Sequence, residues 1–142
     1  MAKKFKFELQ DILDFRNLEK EEAEGELAKA LAVETQINDN LKIIAAQFVN
    51  LKNTAASFTD FEDIAATENR KRLLEYQKDE LLKQLAEANI VTEEKRAVLA
   101  EIMKKTTALE KLKEKQQAAY NEKLNKEEND MIDDLATGRY LK

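Results

Sequence analysis

The sequence predicts an all-α fold, a long antiparallel two-helix coiled coil in which one α-hairpin forms a single domain over residues 1–142. Three observations carry this. The chain has no proline and two glycines, Gly25 and Gly138, so it lacks the residues that reverse direction often. Charged residues make up 37% of it while aromatic residues make up 6%, a composition of solvated helices rather than of a globular core. Its apolar residues step by threes and fours, the spacing that keeps one stripe facing a partner helix.

The first helix is expected over about residues 5–57. Its stripe runs Leu27, Ala30, Glu34, Ile37, Leu41, Ile44, Phe48, Leu51, Ala55, Phe58, and only Glu34 interrupts it. Extended backward, the register meets Ala23, Lys20, Arg16, Leu13 and Leu9, so the seam turns mixed near its start. The run NTAASFTDFED at residues 53–63 is rich in side chains that compete for backbone hydrogen bonds, and the reversal belongs there, at about residues 58–60. Thr59 or Asp60 is the candidate N-cap of the next helix. Thr59 with Glu62 also has capping-box spacing, and Glu62 and Asp63 suit a first turn.

The second helix is expected over about residues 61–136. Its stripe reads Leu74, Leu81, Leu85, Ala88, Thr92, Lys95, Leu99, Ile102, Thr106, Leu109, Leu112, with three polar members. Glu101 with Lys105 and Glu122 with Lys126 have the spacing of helix-surface ion pairs, and Gly138 reads as a helix stop. At 1.5 Å per residue the arms are about 80 Å and about 110 Å long, so the second outruns the first. The overhang carries a stripe of its own: Tyr120, Leu124, Met131, Leu135. Either a partner covers it, or Phe5, Phe7 and Leu9 fold back over part of it.

Composition excludes several function classes. A net charge of −5 argues against a nucleic-acid binder. Without histidine or cysteine, the usual bases, thiolates and zinc ligands are missing, and two glycines cannot build a phosphate loop, so no enzyme, cofactor or metal is expected. Paired carboxylates such as Glu21 with Glu22 and Asp133 with Asp134 read as solvated surface. No apolar run follows the basic start MAKKFKF, so no signal peptide is expected, and no membrane span either. The lack of cysteine fits a reducing cytosol. Ile43, Val49, Leu73 and Tyr76 fall off both stripes. Helix drift could bring some of them into the core, or they could form a docking patch near the turn.

The opening FKFELQDILDFRNLEKEEAEGELAKA, with Phe5, Phe7, Leu9, Leu13 and Arg16, resembles the start of the FliJ family of flagellar export components. LEKLKEKQQAAY at residues 109–120 and IDDLATGR at residues 132–139 are similar to that family's C-terminal half. The resemblance implies a component of type III flagellar protein export in the cytoplasm, at the inner face of the cell membrane. It implies a coiled-coil stalk for the hexameric export ATPase, in contact with the export gate in the membrane and with substrate chaperones. Arg16, Lys20 and the overhang with Tyr120 and Leu135 would then meet the ATPase, and the patch near the turn would face the gate. The rival readings are an unrelated coiled-coil adaptor or spacer, self-association through the overhang, and a holdase chaperone.

Overall fold

The computed structural model describes residues 4–141, and side chains through Gly138. It contains two helices, α1 (Gln10–Ala55, 46 residues) and α2 (Phe61–Leu141, 81 residues), and no strand among the described residues. The helices pack against each other as an α-hairpin coiled coil. The packing divides into two compact units: Glu22–Leu99, and the segments before Glu22 and after Leu99.

The Glu22–Leu99 unit contains the turn. α1 stops at Ala55, two residues before the expected end, because the backbone tightens to three-residue spacing: Ser57 donates its N–H to the Thr54 carbonyl (3.3 Å) and Phe58 donates to that of Ala55 (3.1 Å). The Ser57 hydroxyl donates to the same Thr54 carbonyl at 2.9 Å, so two otherwise orphaned acceptors are used. Asp60 is the N-cap of α2. Its carbonyl accepts the Ile64 N–H at 3.1 Å, and its Oδ1 accepts the Glu62 N–H at 3.3 Å.

Between these ends the seam follows the expected register. Ala23, Ala30, Ile37 and Ile44 are buried, and Leu27, Glu34, Leu41, Phe48 and Leu51 are half-buried. On α2, Leu74, Ala88 and Thr92 are buried, and Leu81, Leu85, Lys95 and Leu99 are half-buried. Ile37, Ile44 and Leu74 each contribute about 1.5–3 kcal/mol and each buried alanine less, which is where a helix of this composition finds its stability. Thr92 is accommodated because its hydroxyl donates to the Ala88 carbonyl at 3.0 Å, so no polar group is left unpaired. Half-buried Lys95 and exposed Glu26 approach across the helices at 3.9 Å, a solvated pair worth at most about 1 kcal/mol.

In the other unit, α1 begins at Gln10 rather than near Phe5. Leu9 and Phe7 supply the first carbonyl acceptors, to Leu13 N–H (2.9 Å) and Gln10 N–H (3.1 Å). Phe5 and Phe7 stay outside the helix and turn inward: Phe7 is buried and Phe5 is half-buried. Leu13 and Thr106 are buried here, with the Thr106 hydroxyl donating to the Ile102 carbonyl at 2.9 Å, and Ile102 and Leu109 are half-buried. The seam position after Leu109 is Lys113, not Leu112, which is exposed. The step from Thr106 to Leu109 is three, so alternation demands four next.

Two further expectations are corrected. Gly138 does not stop α2, which continues to Leu141; a glycine stop requires a left-handed residue, and no described glycine has positive φ. Glu101 approaches Lys104 at 3.7 Å, three residues on, rather than Lys105, and no Glu122–Lys126 pair forms among the described residues.

Two measurements check this packing. The double substitution Leu41→Asp, Ile44→Asp places charge in the seam, and the cooperative helical melt followed by circular dichroism should be lost, since deleting a buried Ile side chain alone costs about 2–5 kcal/mol. Gly25 lies inside α1, and a Cβ added there would meet nothing within 4 Å. Gly25→Ala should therefore raise stability by about 0.5–1 kcal/mol in the same assay.

Candidate functional site

The residues that fall off the seam direct attention to surfaces rather than to a reactive cleft. In the Glu22–Leu99 unit, Ile43, Val49, Leu73 and Tyr76 are all exposed, so helix drift does not draw them into the core. They do not form one patch. Ile43 and Tyr76 line a common groove of about 400 Å³ beside the seam residues Ile44 and Leu81. Val49 lines a different groove with Phe48, Lys52 and Lys71, and Leu73 lines neither. Nearest the turn a third groove of about 380 Å³ runs between Leu51, Thr54 and Phe58 on one side and Asp63, Thr67 and Arg70 on the other. It holds one acid and one arginine. Among the described residues, no group of three acidic side chains is placed to hold a metal ion. No described helix is long and apolar enough to cross a membrane.

In the other unit the N-terminal segment folds back over α2. The Phe5 ring lies 5.6 Å from that of Tyr120, tilted by 48°. Phe5, Phe7, Gln10 and Asp11 line one groove with Lys113 and Gln117. Of the two ways to cover the overhang, fold-back therefore accounts for its first part, and Phe7 and Tyr120 are not free apolar surface. The Tyr120 hydroxyl is buried without a hydrogen-bond partner among the described residues. Arg16 is half-buried and bonded to Glu19 at 2.8 Å, with its guanidinium 5.9 Å from the Phe15 ring centroid. Lys20 beside it on the seam is half-buried.

Fold-back ends near Leu124, which is half-buried, and every residue from Asn125 to Gly138 is exposed. Met131 (66%) and Leu135 (63%) thus continue the seam without cover from the described residues, and Ile132 (62%) widens their stripe. Strict register does not find Ile132, because it lies one position off. Nor does it find Phe15 and Leu18, also exposed, which lie one and two positions from the nearest seam residues in the mixed stretch Leu13, Arg16, Lys20.

These exposed residues lie on the flanks of the two helices and on the last turns of α2. The sequence model of the family described as Flagellar FliJ protein matches residues 5–142. The chain belongs to that family. The match covers all three FliJ-like segments: the aromatic start that folds onto Tyr120, residues 109–120 and residues 132–139. Comparison with curated proteins and with solved structures gave no significant match.

The buried Tyr120 hydroxyl gives a direct test of the fold-back. An unpaired buried hydroxyl costs about 1–3 kcal/mol, so Tyr120→Phe should keep the ring contact with Phe5 and raise the melting temperature. Phe5→Ala should lower it. The opposite order for either variant would mean that the segment does not sit on Tyr120 in solution.

Proposed function

We propose that this FliJ-family chain is a component of flagellar protein export that works by binding other proteins, and that its principal partner is the hexameric export ATPase. The observation that carries the reading is the match of the whole described chain, from Phe5 on, to the FliJ family. A two-helix coiled coil with a charged outer surface suits a stalk, because its stability resides in the seam and leaves the flanks free for contacts. The stalk contact is assigned to Arg16, Lys20, Phe5, the half-buried Leu124 and the free stripe of Met131 and Leu135, with Phe7 and Tyr120 holding the fold-back beneath it. The exposed Ile43 and Tyr76 groove, with Val49 and Leu73 nearby on α1 and α2, is assigned to the export gate, and substrate chaperones are further partners. In this reading the protein works in the cytoplasm, at the inner face of the cell membrane.

The test is enzymatic, with the activity residing in the partner. Added to the purified export ATPase, the chain should raise the rate of ATP hydrolysis while hydrolysing none alone. Met131→Ser with Leu135→Ser should lower that stimulation without changing the melting curve, since surface substitutions of this kind stay within about 0.5 kcal/mol. An ATPase rate indifferent to the chain at saturating concentration would overturn the stalk assignment.

A further inference from the structure

The free part of α2 is where charge stops being interleaved. From Glu127 to Gly138 the sequence carries five acids, Glu127, Glu128, Asp130, Asp133 and Asp134, and no lysine or arginine. That run alone equals the net charge of −5 of the whole chain. The same turns of helix carry Met131, Ile132 and Leu135, each more than 60% exposed.

Helical spacing relates the two sets. Glu127 precedes Met131 by four residues and Asp134 follows it by three, so both stand on the flank of the apolar stripe. Glu128 lies four residues after Leu124 and seven before Leu135, within the stripe itself. An apolar line uncovered by the described residues and edged by acids on its own face specifies what can cover it. The occupant must supply apolar side chains and must place cations opposite Glu127, Glu128 and Asp134, because desolvating carboxylates without a partner opposes docking. A second copy meeting the same face would set these carboxylates against their own kind, which disfavours self-association there.

We propose that residues 124–135 of α2 dock a protein surface whose apolar centre is ringed by lysine or arginine. This deepens the stalk reading and rests on it only for the identity of the natural occupant. The acids steer the encounter and fix its register, while Met131, Ile132 and Leu135 supply the area that is removed from water.

The experiment uses the full chain and two synthetic amphipathic helices of identical spacing, one of leucine and lysine, the other of leucine and glutamate, titrated by fluorescence anisotropy. The leucine–lysine helix should bind, and the leucine–glutamate helix should not. Glu127→Gln, Glu128→Gln and Asp134→Asn together should weaken binding about tenfold or more, as should Met131→Ser with Leu135→Ser. Glu93→Gln with Glu94→Gln, an exposed acidic pair in the other unit, should leave it unchanged. Equal binding of both helices, equal weakening by the Glu93/Glu94 control, or a dimer in sedimentation that Met131→Ser with Leu135→Ser dissolves would overturn the proposal. Loss of peptide binding with ATPase stimulation intact would sink the charge assignment alone. Peptide binding without any effect on the ATPase would sink the stalk reading alone.

Discussion

Everything in this protein depends on one constraint: a single apolar stripe on each helix must be covered by the other helix. The chain has too few aromatic residues for a second layer, and its outer positions are charged or polar. Isolated helices of this kind gain little from propensity, so the seam between α1 and α2 is where stability resides. The turn at residues 56–60 enforces mutual cover in the Glu22–Leu99 unit, with Asp60 starting α2 and Ser57 closing α1. In the other unit Leu13 and Thr106 continue the buried seam, and non-helical Phe5 and Phe7 laid against α2 extend the cover past the start of α1.

The free stripe on α2 follows from the same rule. α2 is longer than α1 and its register does not stop where its cover stops. Past Leu124 the positions that would be buried are instead held in water, and acids crowd around them. A stripe that is in register but unpaired differs from scattered surface hydrophobes such as Val33 or Val98, because it offers several side chains on one line. The arrangement suits a protein that engages its partner through a helix face and not through a pocket.

Much of this is legible in the residues. The seam from Leu9 to Phe58 is readable in full, since a step pattern of three and four admits one register over so many turns. The turn is readable because Asn, Thr, Ser and Asp gather there between two long periodic segments. What is not readable has local causes. Phe5 and Phe7 look helical by composition, but covering Tyr120 outweighs two more residues of helix. Gly138 looks like a stop, yet glycine permits a left-handed residue without requiring one. Leu112 looks like a better seam residue than Lys113 because it is apolar, although the lysine's methylene stem can lie along the seam with its charge outside. For the partner surfaces, period alone does not say which off-seam residues share a groove. Ile43 and Tyr76 do and Val49 does not, because that depends on how two helices face each other.

The seam threonines bear on how α1 and α2 are held at one relative height. Thr92 and Thr106 spend their hydroxyls on carbonyls of their own helix. Neither forms a latch across the interface, so an axial slip of α2 along α1 would break no hydrogen bond at these two sites. Height is then set by the fit of unequal side chains, Ala30 and Ala88 against Ile37 and Leu74 in size, and by the short turn that ties the two helices at Asp60. The interface resists sliding by shape and tether, while its threonines leave it smooth.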